Sequence, residues 1–134
     1  MTTWVIPYVD HGLDFWQEIH TRFGAWIREV YFPMPAGVFA SGRSLQPEQH
    51  LEAFLSDAPL DKALIVNPIV LPLPVEEAVP RLLDMLRHMR DDLGVERVTV
   101  ANLSLARAIK EALPDYHVTA SVLLGIATPA QAMI

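Results

Sequence analysis

The chain contains no cysteine. Disulfides, iron–sulfur ligation and a cysteine nucleophile are therefore excluded within these 134 residues. Positive charge is scarce as well: ten Lys and Arg stand against sixteen Asp and Glu, leaving a net charge of −6. A nucleic-acid-binding domain carries a basic stripe. None is present, and no nucleic-acid partner is expected. Long hydrophobic runs are also missing. The longest uncharged stretch, residues 118–134, is shorter than the roughly 20 apolar residues of a membrane span and includes Thr119, Ser121, Thr128, Pro129 and Gln131. The apolar stretch 63–75 is broken by Asn67 and three prolines. The first positive residue is Arg22, so the pattern of a charged segment leading into a hydrophobic one is not seen. The expectation is a cytoplasmic protein with no membrane partner.

What is present is apolar mass in two alternating periods. Residues 4–9, 27–32, 63–66, 98–100 and 118–120 are short runs rich in β-branched and aromatic side chains, which predicts five strands. Between them the spacing is helical. Trp16, Ile19, Phe23 and Trp26 fall on one predicted helix face, and Val79, Leu82, Leu83, Leu86, Met89 and Leu93 form a longer stripe ending at Gly94. Leu105, Ala106, Ile109, Ala112 and Leu113 make another stripe, stopped by Pro114, and a short helix is expected over 47–55 with Pro47 in its first turn. Pro80 falls inside the long stripe and predicts a late start or a kink there.

Strands alternating with amphipathic helices predict a single α/β domain of parallel βα repeats. Thr128-Pro129 has the form of an N-cap followed by a first-turn proline, so a fifth helix is expected to begin there. Each βα unit takes about 30 residues, and eight make roughly 250, the usual length of a (βα)8 TIM barrel. The expected architecture is a partial barrel of about four and a half units, the N-terminal half of a longer protein. The alternative is a five-stranded flavodoxin-like domain. Its usual chemistries find no residues here. Asp10-His11-Gly12-Leu13 stands where a flavin phosphate loop would be, and Asn67 where a phosphoreceiver carries aspartate.

In either architecture ligands bind beyond the carboxyl ends of the strands. That rule selects Asp10, His11, Asn67, Asn102 and Ser121 as substrate-binding candidates. Each also has a simpler use. Asp10 is a natural cap for the helix starting near Gly12, and Asn102 or Ser104 for the fourth helix. Histidine as a residue type titrates near neutrality, which makes His11 a candidate general base, although a lone histidine is commonly a surface residue. Asn67 before Pro68 suits a turn, and Ser121 can bond neighbouring backbone. Residues 37–42 with Arg43 form a long loop that could hold an anion. His11, His20, His50, His88 and His117 show no recognised metal-ligand spacing, and neither a G-x-x-x-x-G-K-[ST] nor a G-x-G-x-x-G loop occurs. No metal and no cofactor is expected within this chain.

The segment 98–132 carries a resemblance. A strand ends at Asn102, a helix ends in Leu113-Pro114-Asp115, and the next strand ends at Ser121 before a Thr-x-x-Gln-Ala start at Thr128 through Ala132. This resembles the barrel part of peptidase family U32, the collagenase-like proteins. The resemblance implies a barrel whose strand ends bind a small-molecule or peptide substrate. It further implies a hydrolase, or a member of the related group that supports hydroxylation with iron–sulfur clusters, its active site incomplete in this chain. Such clusters need cysteines this chain does not have. The alternative is a non-catalytic α/β domain that assembles with itself or a partner, because a half-barrel leaves sheet edges and an inner face open.

Overall fold

The computed structural model describes residues 2–34, 39, 49–66, 68, 71 and 73–121. In order, the elements are β1 (Trp4–Pro7), α1 (Leu13–Phe23), β2 (Ile27–Pro33), α2 (Leu51–Asp57), β3 (Lys62–Val66), α3 (Val75–Leu93), β4 (Arg97–Val100), α4 (Leu103–Ala112) and β5 (His117–Ala120). The strands form one all-parallel sheet in the order β1-β2-β3-β4-β5.

Side-chain alternation along a strand divides the residues between two faces. On one face Phe32, Leu64, Val98 and Val118 stand in register, followed by Val66 and Val100. Val30, Phe32, Leu64, Val66, Val98 and Val100 are all buried. They share one core cluster with Trp16 of α1, Phe54 and Leu55 of α2, Leu82 and Leu86 of α3, and Leu105 and Ile109 of α4. The four helices therefore cover the same face. The opposite face carries the register row Tyr31, Ala63, Arg97 and His117 and the row Pro33, Ile65, Thr99 and Thr119. Ala63 and Ile65 are buried but lie outside the main cluster. The central strand β3 is thus apolar on both faces, as its Ala-Leu-Ile-Val run predicts.

The structure differs from the sequence reading at four places. The first helix stops at Phe23 and a 3-10 turn carries the chain through Gly24–Trp26. The change of pitch takes Trp26 off the core side; Trp26 is exposed, as is Phe23 in the last position of the helix. The strand expected over 4–9 spans Trp4–Pro7. Helix α2 begins at Leu51, later than expected, and Pro47 lies outside the described residues, as do Thr128 and Pro129. Helix α3 begins at Val75, ahead of Pro80, so there is no late start. Pro80 lies on its exposed side, and only the bond to the Glu76 carbonyl, four residues back, is forfeited. Among the described residues no helix is long and apolar enough to cross a membrane.

Helix α3 ends as Gly94 predicts. Gly94 takes φ 68°, its N–H donates to Arg90 O at 3.2 Å, and the Val95 N–H donates to Met89 O at 3.1 Å. This is the left-handed close that glycine adopts without side-chain strain. The turn is tied to β5 by Tyr116, whose buried hydroxyl lies 2.7 Å from both Leu86 O and Val95 O. Burial pushes the Tyr116 phenol pKa up, keeping it a donor. Tyr116→Phe removes the donor and leaves two carbonyls without it. The expected outcome is a loss of about 1–2 kcal/mol in urea unfolding with an unchanged circular dichroism spectrum.

Candidate functional site

Because all five strands are parallel, their carboxyl ends lie along one rim of the sheet. The Tyr8 N–H donates to Tyr31 O, Ala101 N–H to Val66 O and Ser121 N–H to Val100 O, so the strand pairings extend to the residues that open the rim. Asp10 and His11 follow β1, Asn102 follows β4 and Ser121 follows β5. Adjacent strands are about 4.8 Å apart. Asn102 and Ser121 are therefore neighbours on adjoining strands, while Asp10 and His11 lie at the other edge of the sheet. Asn67 lies outside the described residues.

Asp10 does not cap its own helix. The N-cap of α1 is Gly12, with no side-chain cap bond. The carboxylate instead reaches the entry of α2: Oδ1 accepts from the His50 N–H at 2.9 Å, and Oδ2 from the Gln49 N–H at 3.1 Å. The Tyr8 hydroxyl also donates to Oδ1, at 2.9 Å. The backbone bond from His50 is the largest influence on the Asp10 carboxyl; desolvation opposes it, and the bonds from Gln49 and Tyr8 add to it, so the carboxyl is held below its usual range. With both oxygens engaged, Asp10 serves as a clamp between the β1 end and α2.

Tyr8 was not singled out by sequence reasoning, because it reads as one more apolar position of the first strand. Its ring stacks on Trp16 with centroids 5.7 Å apart and tilts against Phe54 at 4.9 Å. Trp16 in turn lies 4.7 Å from Phe54. The three rings join β1, α1 and α2 beneath the rim, and the Tyr8 hydroxyl carries that packing to Asp10. The available signal was the Tyr-x-Asp spacing at a strand end, which places a hydroxyl within reach of a carboxylate. His11 is exposed and sits beside Phe15, with ring centroids 4.5 Å apart.

Asn102 takes the capping option. It is the N-cap of α4, and its Oδ1 accepts from the Leu105 N–H at 3.2 Å. Asn102 and Ser121 are both half-buried. Among the described residues no group of three or more His, Asp or Glu side chains is placed to hold a metal ion.

A second polar feature was also missed. Glu29, on the face without helices, is buried. Its Oε1 lies 3.5 Å from the Arg28 guanidinium, and its Oε2 has no hydrogen-bond partner among the described residues. Sequence gives no sign of this, since Arg-Glu in a strand reads as a solvated pair. Comparison of the chain with protein-family models, curated proteins and solved structures finds no match.

The Asp10 clamp is pH-dependent with a defined sign. A carboxyl whose folded pKa is lowered contributes stability above its unfolded pKa and loses it as pH falls through the folded value. Hydrogen-exchange protection of the Gln49 and His50 amides, corrected for intrinsic rates, should be present at neutral pH. It should disappear below the carboxylate range, with β3 and β4 still protected. Asp10→Ala should abolish it at neutral pH.

Proposed function

We propose that the chain forms one half of a (βα)8-type barrel of the peptidase U32-like kind, binding a peptide or small polar substrate along the carboxyl ends of its strands. The observation that carries this reading is the strand order. It runs β1-β2-β3-β4-β5 without reversal, with the four described helices on one face. A doubly wound sheet reverses its winding, and the flavodoxin-like order is 2-1-3-4-5. An unreversed order with one-sided helices is the pattern of a barrel segment.

The roles divide by position. Asn102 and Ser121, neighbouring and half-buried, orient the substrate; an asparagine amide and a serine hydroxyl both match the donors and acceptors of a peptide bond. His11, exposed at the β1 end of the rim, binds the far end of an extended substrate. Asp10 holds the rim in shape. The hydrolytic centre is completed by groups from a complementary half, and no cofactor is held by this chain. The supporting resemblance is the pattern of Asn102, Leu113-Pro114-Asp115 and Ser121.

The test is chemical-shift mapping of the labelled chain with a gelatin-derived peptide. The expected perturbations fall on residues 10–12, 102–104 and 121, and Ser121→Ala weakens them several-fold while changing stability by less than about 0.5 kcal/mol. Perturbations confined to the helices, or none at millimolar peptide, would overturn the reading.

A further inference from the structure

We propose that Lys62 is a site of N-acylation, its side-chain amine reacting ahead of Lys110 with uncharged acyl thioesters. The inference is independent of the half-barrel reading.

The chain has two lysines, Lys62 and Lys110. Lys62 opens β3, and the rest of that strand is buried. Lys62 itself is half-buried, so its amine is partly desolvated without being sealed off. Its register partner on β2 is the core residue Val30, which places it on the face that the helices cover. There the ammonium lies 5.7 Å from the centre of the Phe54 ring of α2. That is near the outer limit for attraction of a cation to a ring face. An apolar neighbour returns little of the hydration that an ammonium loses on burial.

The charged groups nearby leave this amine without a bonded counter-charge. Asp57 closes α2 and Asp61 directly precedes Lys62. Both attract the ammonium, but among the described residues neither forms an ion pair with it, and Asp61 is engaged by Arg97 at 3.2 Å. On β2, Arg28 and Glu29 face each other. At the end of α3, Arg90 is held by Asp91 and Asp115. Glu96, ahead of β4, is exposed. Desolvation is the largest influence on the Lys62 amine; Asp57 and Asp61 oppose it, and the pKa is held below the usual lysine range. Lysines desolvated in apolar surroundings are the ones that serve as nucleophiles, because more of the amine is neutral.

The step is a simple acyl transfer. The neutral amine nitrogen of Lys62 attacks the thioester carbonyl carbon. The new C–N bond forms, the C–S bond breaks, and the thiolate takes up the proton that the amine gives up, leaving as a thiol. Nothing is oxidised or reduced. The product is a neutral amide, which removes the charge that burial disfavours and keeps the aliphatic stem beside Phe54. The two aspartates select the donor, since they repel anionic acyl phosphates and leave an uncharged thioester unaffected. Lys62 stands at the amino-terminal end of its strand, away from the rim, so acylation leaves substrate binding there untouched.

The test is timed treatment of the whole chain with S-acetyl-N-acetylcysteamine, an uncharged thioester, followed by peptide mass spectrometry. Lys110 is exposed and serves as the internal reference. At about pH 7.5, well below the ordinary lysine range, Lys62 should be acetylated several-fold faster than Lys110. The ratio should fall as pH rises towards about 10.4, where an exposed lysine also supplies neutral amine. Asp57 is exposed, and Asp57→Asn removes one of the two attractions that favour the ammonium. With circular dichroism unchanged, this variant should acetylate faster at Lys62 and at the same rate at Lys110. Acetylation of Lys110 as fast as Lys62 at neutral pH overturns the proposal. So does a ratio that does not change with pH, and so does a folded Asp57→Asn variant whose Lys62 reacts no faster.

Discussion

Every feature of this molecule depends on the hand and order of its crossovers. A parallel strand pair needs a connection that returns to the starting end, and the return is right-handed in nearly all proteins. When each new strand is added on the same side of the last, every helix is delivered to the same face. The order β1-β2-β3-β4-β5 is such a sequence of additions. One consequence is a single continuous core running from Trp16 to Ile109. The other is that all strand ends open on one rim and, among the described residues, the second face carries no helix.

That constraint explains why the fold was largely legible in the sequence. Strands and helices announce themselves by different periods, and the five strand segments lie within two residues of those expected. The helix stop at Gly94 was legible for a local reason, since a left-handed closing residue is best supplied by glycine. Trp26 was not legible. Its spacing continues the α1 stripe, but the periodicity rule assumes one pitch, and the turn at Gly24 ends the helix first. The Gly24 backbone lies close to the His20 ring: a β-carbon there would come within 2.7 Å of Nδ1. Glycine suits this tight exit, a packing detail that spacing alone does not report.

The rim was legible as a location and not as a set of roles. The parallel sheet puts Asp10, Asn102 and Ser121 on one rim by topology, which the sequence pattern implies. It does not say which polar atoms the backbone claims first. Helix starts need acceptors, and the rim of a parallel sheet is where helices start. Asn102 meets this need within its own unit at Leu105. Asp10 meets it at a distance of forty residues in sequence, at His50. A local rule finds the first kind of cap and misses the second.

The face without helices has been built for a different purpose from the face they cover. The helix-covered face is a run of aliphatic and aromatic residues whose burial supplies the stability. The other holds Tyr31, Arg97, His117, Thr99 and Thr119 around the small apolar centre of Ala63 and Ile65. Arg97 is held by Asp61 at 3.2 Å, whereas Glu29 is buried with one oxygen unmet among the described residues. An unmet buried polar atom costs about 1–3 kcal/mol, and a sheet surface under no constraint but stability would replace it with valine or isoleucine. A protein whose core is complete on one side can carry that cost. The polar lining constrains whatever meets this face, since a purely apolar partner would strand each of these groups away from water. The apolar core and the polar residues of the sheet thus reside on opposite sides of the same strands.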